Sequence, residues 1–381
     1  MAILLTVVTV VAFVLSCAAC GLIRRVAPVI GLVDKPGERK IHHTPMPTGG
    51  GLGIWLSVIL LSLLGTLLAG VISRAIPPDA SGPVTVWGIT FPEVITRYVP
   101  GVLFQAKRLW VLLGLGTILV ALGTIDDRRG LSWKLRLGVQ TLVAIAAVVA
   151  GWEATFFLPI PWLTKIISVI WIVGLINSFN MLDNMDALSG GVAVICSSFL
   201  AAVLLLFARN AESGEPQLFL GGFLLLLAGA ILGFLVHNRP PARLFMGDGG
   251  AYFIGFLLAV LTLSATFVGE QTSKQAILVP LCILAVPLYD TTSVVIIRLR
   301  SGRSPFVGDN NHYSHRLVAL GLSKPAAVAT IYLTTASCAT GALFLYQVST
   351  SLAIWVVLQV LMILSLVGIL EFTARRTLKK Q

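Results

Sequence analysis

Long apolar runs recur along this chain, at about 2–23, 49–73, 109–125, 135–151, 160–177, 187–208, 218–236, 250–268, 275–297, 324–346 and 350–371. A helix needs roughly 17 to 25 residues to cross a hydrocarbon core of about 30 Å. Each of the eleven runs therefore reads as a transmembrane helix. Within lipid, every backbone N–H and C=O must find its partner inside the protein, which admits only helices and closed barrels. These runs are continuous rather than alternating, and that excludes a barrel. A composition 57% apolar and 11% charged excludes an ordinary soluble globule. The expected fold class is all-α, a polytopic integral membrane protein of about eleven transmembrane helices forming a single domain over residues 1–381. The first run lacks a small-residue cleavage site before a polar region, so it is read as a retained helix.

Orientation follows from the basic residues. Eleven crossings put the segments 24–48, 126–136, 178–186, 237–249, 298–324 and the tail on one side, and these hold 20 of the 27 Lys and Arg. By the positive-inside rule that side is cytoplasmic, with the N-terminus outside and the C-terminus inside. The net charge of +11 then reports topology and anionic lipid headgroups, and not nucleic acid. Cys17 and Cys20 form a C-x-x-C inside an apolar run, where they read as small buried hydrophobes. The longest outside segment, about 74–108, carries the alternating pattern of a short hairpin in PPDASGPVTVWGITFPE.

All five histidines, His42, His43, His237, His312 and His315, fall in the cytoplasmic set. The compact acidic clusters gather there too. Asp126 and Asp127 are adjacent at the inner end of a helix and are followed by Arg128, Arg129, Lys134 and Arg136. Such a group either neutralises itself at a helix exit, or uses its carboxylates for a divalent cation or a proton and its cations for phosphate. Asn180, Asp183 and Asp186 advance by three, which on a continuous helix puts them on roughly one face. One helix cap would account for only one of them. Hard oxygen donors favour Mg²⁺ or Mn²⁺ over zinc.

Asp248 stands between Gly247 and Gly249 just before an apolar run, where glycines permit a tight turn and close approach of a ligand. Phe245 upstream reads either as a stacking surface for a flat base or as an interfacial anchor. In the last inner loop, Arg298, Arg300, Arg303 and Arg316 with His312 and His315 suit an anionic, hydrogen-bonding ligand such as a sugar nucleotide diphosphate. Zinc at the H-x-x-H is disfavoured by the oxygen and guanidinium groups around it. Asp290 is the carboxylate set deep in a span, a position that marks either function or a paired structural charge.

In order, GLVDKPGERKIHHTPMPTGGG, DDRRGLSWKLRLGVQ, NSFNMLDNMDALSGG, FMGDGGAYFIGF and the stretch from VPLYD through SPFVGDNNHYSHRL resemble the polyprenyl-phosphate N-acetylhexosamine-1-phosphate transferases, glycosyltransferase family 4. The likeness is greater to the undecaprenyl-phosphate GlcNAc-1-phosphate branch than to the phospho-MurNAc-pentapeptide branch. The resemblance implies an enzyme that transfers a sugar 1-phosphate from a UDP-sugar to a polyprenyl phosphate, releasing UMP and leaving a lipid-linked diphosphate sugar. It implies Asp126 and Asp127 as catalytic residues, and Asn180, Asp183 and Asp248 as ligands of Mg²⁺, or of Mn²⁺ in its place. It implies substrate contacts from Asp186, from Asn238 and Phe245 near the uridine, and from Lys134 and Arg136 at lipid phosphate or diphosphate. Arg303, His312, His315 and Arg316 would read the sugar. A multi-pass plasma (inner) membrane protein with its site on the cytoplasmic face is implied, with room for a homodimer.

The chain departs from the family pattern at Asn184 and Ala187, where Gly is frequent. It departs again at His312, Tyr313, Ser314 and His315, where the nearest branch has H-x-H-H. The sugar therefore stays open among UDP-GlcNAc, another UDP-N-acetylhexosamine and UDP-MurNAc-pentapeptide. The rival from a different class is a proton-coupled transporter, which would place its polar groups near the bilayer midplane instead of crowding one side.

Overall fold

The computed structural model describes residues 1–34, 45–76, 82–154, 160–208, 216–265 and 274–378. Helices dominate. The order is α1 (Ala2–Val26), β1 (Val33–Asp34), β2 (Met46–Pro47), α2 (Gly50–Ala75), β3 (Val84–Val86), β4 (Ile89–Phe91), α3 (Glu93–Thr96), α4 (Val99–Arg129), α5 (Trp133–Val149), α6 (Pro161–Leu182) and α7 (Leu188–Ala202). A single π-helical turn, Val203–Phe207, prolongs α7. Then come α8 (Leu218–Asn238), α9 (Asp248–Ala265), α10 (Val279–Ile283), α11 (Ala285–Arg300), α12 (Tyr313–Ala319), α13 (Lys324–Ala342) and α14 (Thr350–Leu378).

Among the described residues, helix covers most of each of the eleven apolar runs. Among the described residues, seven helices are long and apolar enough to cross a membrane: α1, α2, α4, α6, α7 with its π turn, α8 and α14. An eighth span results if the segment 275–300 is counted as one, although it bends by 67° between α10 and α11. The protein is thus a multi-pass helical membrane protein. α5 and α9 are shorter, and α13 carries many Thr, Ser and Ala, so apolar sequence alone does not mark these three as spans. The expected hairpin forms as its alternation suggests: β3 pairs antiparallel with β4, and Trp87 and Gly88 turn it with φ of 50° and 79°. Two successive positive φ values are what a tight hairpin of this hand requires.

The centre of the bundle is α9. It is apolar on all sides and buried from Ala251 through Leu261, packed between α2, α4 and α6. Glycine makes this packing unusually close. A Cβ on Gly51 would lie 2.1 Å from Gly250 Cα, and one on Gly123 would lie 2.2 Å from Gly249 N. α2 and α4 therefore touch the first turn of α9 backbone to backbone, as small residues allow in membrane bundles. Backbone bonds lock the same corner, with Gly50 N–H to Phe245 O at 2.8 Å, Gly51 N–H to Met246 O at 2.9 Å and Phe245 N–H to Pro47 O at 2.9 Å. The start of α9 is fixed in place, and with it Asp248.

Candidate active site

A cavity of about 830 Å³ opens where these helix ends meet, walled by Thr48, Asp127, the turn 183–186, Asn238, Pro240 to Ala242, Phe245 to Asp248, Asp309, Asn310, His312, His315 and the start of α13. Of the residues singled out from sequence, Asp127, Asp183, Asp186, Asn238, Phe245, Asp248, His312 and His315 line it. Asn180 stands directly behind, its Nδ2 donating to Asp248 Oδ1 at 2.7 Å.

The two adjacent aspartates of α4 differ in surroundings. Asp127 accepts from the Asp248 N–H with both carboxylate oxygens, each at 3.2 Å, so it caps α9 from the cavity side. A carboxylate there is favoured by the unpaired N–H groups and the positive end of the helix dipole. Gly247 (φ +77°) leaves room for this, since a Cβ there would lie 2.4 Å from Asp127 Oδ2. Asp126 is buried and turned to Arg136, whose Nη1 lies 2.7 Å from Asp126 Oδ2, while the Leu131 N–H donates to its other oxygen at 2.6 Å. The same Arg136 Nη1 lies 3.5 Å from Asp248 Oδ2, and the Tyr252 hydroxyl donates to that oxygen at 3.3 Å. Asp126 is thus a brace for Arg136, and Asp127 and Asp248 face the open space.

The expectation that Asn180, Asp183 and Asp186 share a helix face needs correction. α6 ends at Leu182, and Asp183 already has φ −79° and ψ 55°. The chain then turns through Ala187, at φ 63° a left-handed position for a residue with a Cβ. Asp183 points into the cavity, where burial first, and then the carboxylates of Asp248 and Asp186, push it up to about 7. Asp186 instead accepts from the Ala242 N–H at 2.9 Å and ties the turn to the loop before α9. Asn238 fastens the same two segments, accepting from Ala187 N–H at 2.8 Å and donating to Leu244 O at 2.9 Å. Its side chain is spent on the backbone, which makes it a strut of the wall.

The last loop is held by buried charge. Asp290 accepts from the Tyr313 N–H, and its other oxygen lies 2.9 Å from His312 Nδ1, so the deep carboxylate is paired. Arg298 reaches Asp309 Oδ1 at 2.9 Å and Pro305 O at 2.7 Å. Burial acts to raise Asp309, but the bonds from Arg298 and Asn311 outweigh it and hold the carboxyl down at about 2. Burial, then the nearby His312, keeps His315 below the usual histidine value.

Four expected substrate contacts lie elsewhere. Arg316 is buried, donating to Asn311 O at 2.7 Å and Ser293 Oγ at 2.8 Å, with Nε 3.0 Å from Glu371 Oε1 of α14. Arg303 and Lys134 are exposed and form no part of the cavity wall, and Arg136 is engaged as described. Long basic side chains in a loop can turn either way, and here Glu371 of α14 claims Arg316 while Asp126 of α4 holds Arg136. His42 and His43 lie outside the described residues, and His237 sits apart, its Nε2 2.9 Å from Cys17 O. The sequence reading did not single out Asp34, Thr48 or Lys324, all of which line the cavity.

The cavity donors suit one kind of ion. Asp127, Asp183 and Asp248 offer only oxygen, yet among the described residues no three His, Cys, Asp or Glu side chains converge closely enough to enclose a metal. A cation there would complete its shell with water or with ligand oxygens, as Mg²⁺ does when one or two carboxylates and substrate phosphates hold it.

The chain matches the family model described as Glycosyl transferase family 4 over residues 109–266. It is 32% identical over 320 residues to the probable undecaprenyl-phosphate N-acetylglucosaminyl 1-phosphate transferase of Bacillus subtilis (strain 168), covering 82% of this chain and 76% of that one. To the undecaprenyl-phosphate alpha-N-acetylglucosaminyl 1-phosphate transferase of Yersinia pestis it is 31% identical over 343 residues, 85% of this chain and 80% of the other. To the decaprenyl-phosphate N-acetylglucosaminephosphotransferase of Mycolicibacterium smegmatis (strain ATCC 700084 / mc(2)155) it is 28% identical over 392 residues, 96% and 89%. The chain belongs to glycosyl transferase family 4.

Proposed function

We propose that this protein transfers N-acetylglucosamine 1-phosphate from UDP-GlcNAc to a polyprenyl phosphate, releasing UMP and leaving a lipid-linked diphosphate sugar for cell-envelope glycan synthesis. The observation that carries the reading is the match, over 82% of the chain, to a relative named for this transfer to undecaprenyl phosphate. The acid-lined cavity supports it, because a water-soluble nucleotide sugar must meet a phosphate whose tail stays in the bilayer. We take the cavity to face the cytoplasm of a plasma membrane protein with eleven crossings, since the basic residues crowd that side.

In this reading an oxygen of the lipid phosphate attacks the β-phosphorus of the donor. The bond from that phosphorus to the bridging oxygen breaks, and its electron pair leaves with UMP. Asp127, open to the cavity, holds or removes the acceptor's proton, and Asp126 acts through Arg136, whose guanidinium faces Asp248. Asn180, Asp183 and Asp248 would hold Mg²⁺, with Mn²⁺ as substitute. When bound, the ion neutralises charge on the diphosphate. Catalysis of this type is mostly positioning and electrostatic stabilisation.

The test is UMP release by purified protein given Mg²⁺, undecaprenyl phosphate and each of several UDP-sugars, with Asp248→Asn alongside. Release with UDP-GlcNAc that is lost in the variant supports the reading. Silence with every UDP-sugar from folded protein overturns it, and preference for another UDP-N-acetylhexosamine changes the donor only.

A further inference from the structure

Six carboxylates line the described part of the cavity: Asp34, Asp127, Asp183, Asp186, Asp248 and Asp309. A ligand carrying a diphosphate needs positive charge against that background. Three guanidinium groups around the site are already committed, Arg136 to Asp126 and Asp248, Arg298 to Asp309 and Pro305, and Arg316 to Asn311, Ser293 and Glu371. His312 is paired with Asp290.

Lys324 is different. Among the described residues it is the one Lys or Arg on the cavity wall. It is the first residue of α13, directly after Ser323, whose Oγ caps the helix by accepting from the Ala326 N–H at 3.4 Å. The stem therefore leaves from a fixed turn and not from a loose loop. Pro325 and Val328 of the same helix line the cavity with it, as do His312 and His315, their rings 6.3 Å apart. No ion pair with another described residue engages the ammonium.

We infer that Lys324 binds the diphosphate of the nucleotide sugar. The geometry is that of one cation with no ion pair among the described residues, on a wall of the cavity built by α12 and α13, while the carboxylates of Asp127 on α4 and Asp248 on α9 form another wall. A lysine ammonium acts on phosphate as a flexible point charge. The inference rests on the reading that a UDP-sugar is the donor.

The experiment compares wild type, Lys324→Gln and Lys324→Arg, using UDP and uridine as binding probes and then UDP-GlcNAc in turnover. Losing one charge-assisted contact should weaken UDP binding by about tenfold or more. Uridine affinity should not change, and Lys324→Arg should recover most of the loss. The KM for UDP-GlcNAc should rise in step, with the KM for polyprenyl phosphate unchanged. Lys324 is exposed, so the variants should melt with the wild type. Unchanged UDP affinity in Lys324→Gln, with wild type binding UDP, overturns the Lys324 assignment alone. Equal loss for UDP and uridine, or a rise confined to the lipid KM, also overturns it. A wild type that binds no UDP overturns the donor reading and the assignment together.

Discussion

Asn180 Nδ2 donates to Asp248 Oδ1 at 2.7 Å, joining the last turn of α6 to the first residue of α9. One oxygen of Asp248 is thereby oriented by a neutral donor, and the other faces Arg136 and Tyr252. Asn180→Asp replaces the donor with a second negative charge. Its turnover should fall by about 100-fold, the scale seen when one preorganised electrostatic partner is lost. Thermal melting in detergent checks that the fold persists, and activity near wild type would count against this pair.

Asp126 and Asp127 should separate in assay. Asp127→Asn keeps an acceptor for the Asp248 N–H but loses the charge facing the cavity, so kcat should drop with little change in melting temperature. Asp126→Asn leaves Arg136 without its close partner, so stability and KM should both suffer. Matching profiles for the two variants would contradict these separate roles.

Removing divalent cations with EDTA should stop turnover, and Mg²⁺ should restore it, with Mn²⁺ in partial replacement. Added Mg²⁺ should also raise the melting temperature in the presence of UDP more than in its absence, because the carboxylates alone do not enclose an ion. Full activity in EDTA would remove the metal from the scheme.

Arg316 and Glu371 form a buried ion pair between α12 and the otherwise little-buried, apolar α14. Removing one member of such a pair strands the other, at a cost of about 3–5 kcal/mol. Glu371→Ala should therefore lower the melting temperature sharply, whereas Arg303→Ala and Lys134→Ala, both exposed, should leave it and the KM for UDP-GlcNAc in place. Denaturation curves and donor kinetics on the three variants check this contrast.

Ala187 holds a left-handed φ of 63° while its N–H meets Asn238 and its carbonyl accepts from the Tyr332 hydroxyl. Glycine tolerates this backbone, so Ala187→Gly should raise stability by about 0.5–1 kcal/mol. A loss instead would mean that the Ala187 methyl packs more favourably than the backbone strain costs. Equilibrium unfolding decides.

The helices were readable because apolar length is a one-dimensional property, and so was the hairpin through Trp87 and Gly88. The membership of the acidic cavity was readable too, since Asp127, Asp183 and Asp248 stand at helix ends that must meet. What the sequence could not carry was direction. Spacing by three suggested a shared helix face for Asn180, Asp183 and Asp186, but the helix stops at Leu182, and Ala187, at a positive φ, marks the turn. Arg316 looked like a ligand because its acidic partner lies far along the chain, in α14. Lys324 went unread because Ser-Lys-Pro after a glycine is equally the start of a helix.

The backbone contact of Gly51 and Gly123 with the first turn of α9 leaves no side chain there to repack. That corner behaves as a rigid hinge pin, and the carboxylates mounted on it are hard to retune by substitution. The wall made by the last loop and α13 has no such constraint. On the proposed reading, donor choice can therefore drift, or be engineered, through that wall while the aspartates of α4 and α9 on the other stay as they are.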